Sequence, residues 1–323
     1  MGLRQAAAAV RKNNSFVITA HVNPEGDALG SQIAFYNLLK KLGKEAVILD
    51  EDAVPSEYEF LPGQELVRKF KYNPRRRIGF DCLVVLDSSD LKRTGEVWRV
   101  NQEKKIVLNI DHHISNIKFG DVNWVEPLTS SASEMVYKLF KYMRVPLDAD
   151  TALALYVGMM TDTGSFRYSN TTAGTHRAAA ELMKYKIDTV QVYKNIYENI
   201  PNEEVKLLNK ILPSVKRDCA GKLVWFQVPH DLLKGKKITF DLSEHILSFG
   251  RAMQGAEVVV LFKENLGIKR EIRVNLRSQG KFDVNKVAQL FGGGGHKAAA
   301  GITMHGTITA VRKKVLAKIK SSL

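Results

Sequence analysis

Residues 105–110 of this chain form a largely apolar run that ends directly in Asp111-His112-His113. Such a run reads as a buried parallel strand. A strand of that kind delivers its last residues to the carboxyl edge of a sheet, where α/β proteins bind their ligands. Taken alone, an Asp-His-His triplet is as readily a solvated polar turn. Three further segments of the same chemical type weigh against that.

The apolar run 16–20 leads into His21, Asn23, Pro24, Glu25, Gly26 and Asp27, and a helical pattern follows from Ile33. Pro24 and Gly26 can bend this strand-to-helix loop so that an imidazole and two carboxylates converge. The alternative for Asp27 is a helix cap. The run 82–86 ends in Asp87, and a helical pattern from Asp150 runs into Asp162. Together these segments supply His21, Glu25, Asp27, Asp87, His112 and Asp162, all oxygen or imidazole donors with no thiolate. That mixture suits Mn²⁺ or Mg²⁺ better than a structural zinc site. Six side chains exceed what one ion usually takes from protein, so two metals are the economical reading.

These motifs resemble the DHH phosphoesterases, whose defining triplet stands at 111–113. A second stretch at 291–301, with Gly292 to Gly295 followed by His296, resembles the glycine-rich signature of the DHH-associated C-terminal domain. The matches run from 21 to 301 in the expected order. The resemblance implies that His21, Glu25 and Asp87 hold one metal. It gives Asp27, Asp87, His112 and Asp162 to the other, with Asp87 bridging. One position departs from the pattern: the family usually has Asp where this chain has Glu25, which sets that carboxylate one methylene further out. By the same resemblance Gly293, Gly294, Gly295 and His296 bind substrate, with Arg277 and Ser278 as phosphate contacts. In the mechanism that follows, His113 touches the scissile phosphate, Asp111 orients a ligand imidazole, and Arg167 is a further phosphate contact or a surface residue.

The glycine run is not a dinucleotide fingerprint, because it follows a helical pattern and lacks the strand–loop–helix frame. It is either a flexible connector or a nest of amides open to an anion. The chain's 323 residues suggest two lobes. The fold class expected is α/β. Residues 1–186 form a catalytic domain on a parallel sheet covered on both faces, 187–215 a helical linker, and 216–323 a smaller α/β substrate-binding domain.

The net charge of +14 is concentrated in the second lobe. Residues 221–323 hold 18 Lys and Arg against 7 Asp and Glu, a net of +11, and the preceding 220 residues carry the remaining +3. A basic lobe suits an anionic substrate. Lys269-Arg270, Arg273 and Arg277 lie along a strand-like stretch whose alternation puts Arg273, Asn275 and Arg277 on one face. No stretch approaches the roughly 20 apolar residues of a membrane span. The alanine-rich start reads as an amphipathic helix rather than a signal peptide. Cys82 and Cys219 offer neither a disulfide framework nor zinc spacing, as expected of a cytoplasmic protein.

Within the family the architecture is similar to the nanoRNase type. The function expected is therefore metal-dependent hydrolysis of short oligoribonucleotides or pApA to mononucleotides, with dephosphorylation of 3′-phosphoadenosine 5′-phosphate (pAp). Two Mn²⁺ ions are the expected cofactors, with Mg²⁺ as the substitute, and a homodimer is left open. The alternative is a cyclic dinucleotide phosphodiesterase. In another class stands a nucleotide- or RNA-binding module with a decayed centre, which Glu25 alone favours.

Overall fold

The computed structural model describes residues 2–75, 77–233, 242–265 and 270–323. Lys269 of the basic strand, and position 241 at the start of an expected helix, lie outside the described residues. The chain divides into two compact units, Met1–Asn199 and Ile200–Leu323.

The first unit contains α1 (Gly2–Lys12), β1 (Ser15–Thr19), α2 (Gly26–Lys41), β2 (Glu45–Asp50), β3 (Val67–Lys69), β4 (Cys82–Leu86), β5 (Ile106–Asp111) and β6 (Val122–Val125). Four helices follow: α3 (Ala132–Met143), α4 (Ala149–Asp162), α5 (Ala173–Met183) and α6 (Thr189–Tyr197). All six strands are parallel, in the order β3-β2-β1-β4-β5-β6. The order reverses between β1 and β4. This is the switch point of a doubly wound sheet, where loops diverge and leave a crevice.

Alternation along the central strands separates two apolar layers. Phe16, Ile18, Val84, Leu86, Leu108 and Ile110 pack with the helices. Val17, Leu83, Val85 and Val107 face the other way, onto Leu91, Val97 and Val100. The sheet is thus covered on both faces, but the second cover is made of short 3-10 turns at 91–94 and 97–100 rather than long helices. The edge strands β3 and β6 escape a reading by periodicity because they are three and four residues long and largely half-buried or exposed.

The second unit contains α7 (Asn202–Ile211), β7 (Lys216–Asp218), β8 (Leu223–Val228), α8 (His230–Leu233), α9 (Leu242–Ala252), β9 (Val258–Glu264), β10 (Glu271–Ser278), α10 (Val284–Leu290), β11 (Gly294–Gly295), β12 (Ala299–His305) and α11 (Ile308–Lys320). Its sheet is mixed, in the order β11-β12-β10-β9-β8-β7. On β10, Ile272, Val274 and Leu276 turn into the core, so Arg273, Asn275 and Arg277 share the opposite face. β12 is an addition to the sequence reading, which takes the glycine run directly into the last helix. Its opening Ala299-Ala300-Gly301 lacks the β-branched residues that advertise a strand.

The stretch 187–215, read from sequence as a linker, is shared between the units. Val192 and Ile196 of α6 join the first core. Leu207, Leu208 and Ile211 of α7 join a core of the second. Among the described residues no helix is long and apolar enough to cross a membrane.

Helix α2 lies close against α4 because Gly30 has no side chain: a Cβ there would run into the carbonyl oxygen of Ala154. Backbone cannot yield as a flexible side chain does. Gly30→Ala should therefore lower the unfolding free energy by about 1–3 kcal/mol. Gly79→Ala, with nothing within 4 Å of the added carbon, should stay within about 0.5 kcal/mol of wild type. Urea denaturation of both variants measures the contrast, and equal stabilities would refute the packing argument.

Candidate metal centre

Four segments deliver polar side chains to the carboxyl edge of the parallel sheet. β1 ends at Thr19, two residues before His21, β4 ends at Leu86, just before Asp87, β5 ends in Asp111 and is followed by His112 and His113, and α4 ends in Asp162. Asp87 has φ +50, in the left-handed region that a non-glycine residue enters at a cost of roughly 1–2 kcal/mol. Aspartate tolerates that region better than most residues. Its amide donates to the carbonyl of Ile110 at 3.1 Å, which ties the β4 end to β5.

The buried Asp87 carboxylate is the meeting point. Oδ2 lies 3.3 Å from Nε2 of His21, and Oδ1 lies 3.5 Å from Nε2 of His112 and 3.6 Å from Nδ1 of His113. Nε2 of His112 also lies 3.5 Å from Asp162 and 3.8 Å from Asp27. Ligand atoms of Asp27, Asp87 and His112 all fall within 4.8 Å of one another. His21 and His112 share one arrangement. Nδ1 faces a backbone carbonyl, Val22 at 2.8 Å and Thr129 at 3.2 Å respectively, while Nε2 faces Asp87. A carbonyl only accepts, so Nδ1 carries a proton in both rings; Nε2 is the nitrogen that donates to Asp87 here and that would offer its lone pair to a cation once its proton leaves.

His113 differs. Its Nδ1 lies 2.7 Å from Oδ1 of Asp111. Asp111 therefore orients His113, not one of the ligand-type imidazoles that the sequence reading assigned to it. Asp87, Asp111 and His113 also lie within one 4.8 Å group, but Asp111 and the Nδ1 of His113 are engaged with each other.

Asp27 is not a cap of its own helix. It sits in the first turn of α2, and its two oxygens accept the amides of Ala132 at 2.7 Å and Ser133 at 2.8 Å at the start of α3. A helix N-terminus is a natural seat for a carboxylate. Ser131 caps α3 by accepting the amide of Glu134, and the buried Glu134 carboxylate accepts from the hydroxyls of Ser130 and Thr175. Asn170 donates to the carbonyls of Ser130 and Asp162 and to the Asp162 carboxylate at 3.3 Å. Glu25 is exposed at the N-cap of α2, without a side-chain bond to the helix amides, and its charge acts on Asp162.

The electrostatics follow from crowding anions in a dry place. Burial pushes Asp27 up, and the Asp87 charge adds to it. Burial likewise pushes Asp162 well up, against the pull of His112 and with help from Asp27, Asp87 and Glu25. Asp87 goes the other way: burial opposes its charge, but bonds from His112 and His21 hold it well below the usual carboxylate range. Burial also disfavours a proton on His112, yet Asp162, Asp87 and Asp27 raise it well above the ordinary imidazole value. The cluster thus calls for positive charge. Protons supply it here, and divalent cations fit the same oxygen and imidazole donor set.

The profile of the DHH family's N-terminal domain matches residues 15–159, and that of the DHHA1 domain matches 223–322. The chain is 31% identical, over 95% of its length and 89% of the relative's, to the bifunctional oligoribonuclease and PAP phosphatase NrnA of Thermus thermophilus. The chain belongs to the DHH family. The corresponding protein of Bacillus subtilis is 28% identical over 90% of both chains. The crystal structure of an exopolyphosphatase-related protein from Bacteroides fragilis overlays with a TM-score of 0.85 at 25% identity, covering 99% of this chain and 96% of the other. His21, Asp27, Asp87 and the triplet 111–113 lie inside the DHH match, with Asp162 just beyond it. The glycine run and His296 lie inside the DHHA1 match.

In the DHHA1 domain the glycines are neither a connector nor free of structural duty. Gly294 and Gly295 pair with Gly301 and Ala300. A Cβ on Gly293 or Gly295 would meet the carbonyl oxygens of Gly301 and Ala299. The His296 amide closes the turn onto the carbonyl of Ala299 at 2.6 Å. Arg277 is held by Glu244 at 2.9 Å, and the Ser278 hydroxyl donates to the carbonyl of Phe282 at 2.5 Å. Arg167 is exposed and bonds the carbonyl of Gly164 in its own loop.

Sequence reasoning missed the polar side chains behind the ligands: Asn109, Asn116, Ser130, Glu134, Asn170 and Asp50. One had a legible signal, since Ser131 and Glu134 stand at capping-box spacing. Asp50 ends β2, where its Oδ1 accepts from Gln32 at 2.7 Å and from Thr19 and the Ala20 amide at 3.3 Å, just before His21. Asp50 Oδ2 and Gln32 Oε1 are buried without a hydrogen-bond partner among the described residues.

Burial raises the Asp50 carboxyl to about 6 from 3.8, against the bonds from Gln32, Ala20 and Thr19. A raised carboxyl means that the folded protein holds this proton more tightly than the unfolded chain. Its contribution to stability is therefore full below about pH 4 and is lost as pH rises through about 6. Asp50→Asn keeps an acceptor and stays neutral. It should be more stable than wild type at pH 7 by up to about 3 kcal/mol, with the advantage vanishing near pH 4. Denaturation at both pH values tests this, and a pH-independent difference would count against it.

Proposed function

We propose that this chain is a divalent-cation-dependent phosphoesterase that degrades short oligoribonucleotides and pApA to mononucleotides and dephosphorylates pAp. The observation that carries the reading is the convergence of His21, His112 and His113 on the Asp87 carboxylate, with Asp27 and Asp162 alongside. The substrate class is supported by the names of relatives aligned along nearly the whole chain. The two free cysteines and the basic second unit agree with a cytoplasmic enzyme for anionic substrates.

In this reading His21, Glu25 and Asp87 hold one cation, and Asp27, Asp87, His112 and Asp162 hold the other. Mn²⁺ matches the mixed carboxylate and imidazole donors, with Mg²⁺ as a substitute. Bound cations would lower the pKa of an attacking water and offset charge on the phosphoryl oxygens. The chain's own groups do the rest. The backbone carbonyls of Val22 and Thr129 fix the ligand tautomers. Asp111 holds the Nδ1 proton of His113, so that the Nε2 edge of that ring is the one offered to the phosphate, where charge builds in the transition state. In the DHHA1 domain, Arg277, Ser278, Gly293, Gly294, Gly295 and His296 bind the part of the substrate away from the scissile bond.

Asp87→Ala should abolish high-affinity binding of both Mn²⁺ ions in calorimetry and cut turnover of pApA roughly a thousandfold or more. Near-wild-type turnover with intact metal content would sink the shared-carboxylate assignment. The substrate class is tested with Mn²⁺ against pAp, pApA, cyclic diadenylate, short RNA and short DNA. Short RNA, pApA and pAp should be turned over and cyclic diadenylate spared; faster cleavage of the cyclic substrate would make the chain a cyclic dinucleotide phosphodiesterase. Binding of short RNA with no hydrolysis of any substrate would make it a binding module.

His296→Ala separates grip from chemistry, because a remote contact matters only to substrates long enough to touch it. It should raise KM for pApA and short RNA more than for bis-p-nitrophenyl phosphate, and leave Mn²⁺ binding unchanged. Equal losses on both substrate types would point to a structural defect instead.

A further inference from the structure

Asn116 lies in the turn after the DHH triplet, its amide on the carbonyl of His113 at 3.2 Å. Its side-chain oxygen accepts the amide of Lys118 at 2.6 Å, which leaves its nitrogen to face the acceptors on the other side. Those acceptors are Oδ2 of Asp111 at 2.6 Å, Oδ1 of Asn109 at 2.8 Å and the carbonyl of Ser88 at 3.2 Å. The NH₂ group has two protons, so the two shortest contacts, to Asp111 and Asn109, take them. Asn109 is itself immobile. It is fully buried on β5, and its own nitrogen reaches the carbonyls of Val85 and Ser88. The Asp111 carboxylate, also fully buried, is thereby held at both oxygens, Oδ2 by Asn116 and Oδ1 by His113.

We propose that Asn116 is a positioning residue. Anchored on Asn109, it fixes the plane of the Asp111 carboxylate and so the orientation and Nδ1-protonated tautomer of His113. The inference rests on the reading of His113 as the side chain that meets the phosphate. Without Asn116, Oδ2 of a buried carboxylate loses its donor. The carboxylate then turns to find another, and the imidazole follows it. Outer partners of this kind typically carry a 10–100-fold effect on activity. The amide is also required for its sign: an aspartate at 116 would face Asp111 with a second carboxylate oxygen.

The test is a double-mutant cycle on pApA hydrolysis with Asn116→Ala, Asn116→Asp and His113→Ala. Mn²⁺ affinity is measured for each by calorimetry. Asn116→Ala should lower kcat about 10–100-fold, with KM and Mn²⁺ affinity within about twofold of wild type. In the His113→Ala background the same change should cost less than about twofold, because residues that act as a unit are non-additive. Asn116→Asp, nearly isosteric, should lose at least as much as Asn116→Ala, and it serves where the alanine variant fails to fold.

A second arm reads no activity. In metal-free protein the hydrogen-bonded Nδ1 proton of His113, assigned by its absence in His113→Ala, should give a protected NMR signal that Asn116→Ala broadens or loses. An unchanged signal overturns the proposal, as does an equal kcat loss in both backgrounds or a fall in Mn²⁺ affinity matching the fall in kcat. Wild-type kcat in His113→Ala would instead refute the phosphate role of His113, and the NMR arm would still report whether Asn116 orients the ring.

Discussion

One buried carboxylate, Asp87, faces three imidazoles at the point where the strand order of the sheet reverses. Around it the chain must satisfy two opposed demands. The parallel sheet needs apolar strands and dry surroundings, while the site needs several charges within a few ångströms of one another. Bare carboxylates buried together repel. The structure distributes the cost by turning Asp87 into the left-handed region, seating Asp27 on the start of α3, and setting imidazoles between the acids. What positive charge remains wanting is of the kind that divalent cations supply.

Behind the ligand atoms lies a layer of neutral amides and hydroxyls. Asn116, anchored on Asn109, holds Asp111, Asn170 holds Asp162, Ser130 and Thr175 hold Glu134, and Gln32 holds Asp50. Groups of this type orient a charge without adding another, which keeps the balance of the cluster with the ligands themselves. They also explain why small residues recur nearby. A Cβ at Gly158 would come within 2.9 Å of Oδ1 of Asp27 and collide with Ser133. The helix that carries Asp162 is therefore bare where it passes the other acid.

In the second unit, glycines do a different job. Gly293 and Gly295 let β11 lie against β12 more closely than any side chain permits. The run that looks like a flexible anion cradle in sequence is a tight strand edge ending in the turn at His296. Closeness of backbone and room for a ligand are not exclusive, but the first suffices to require glycine at those two positions.

The fold class and most of the ligand-type residues are legible without coordinates, for one physical reason. Apolar runs in a parallel sheet end at the same edge, so the polar residues that follow 16–20, 82–86 and 105–110 must gather there. Chain order alone put His21, Asp87 and Asp111-His112-His113 in one place. It said nothing of which nitrogen faces which oxygen, because a rotamer and a tautomer depend on neighbours distant in sequence: Thr129 for His112, Ala132 and Ser133 for Asp27, Asn116 for Asp111. Periodicity likewise misses short edge strands such as β3 and β6, and the hairpin of β11 and β12, where alanine and glycine carry no pattern. Sequence determined which chemistry reaches the sheet edge. Tertiary packing decided that Asp111 serves His113 and that Asp27 caps α3 rather than its own helix, since both outcomes turn on contacts between segments that local propensity does not encode.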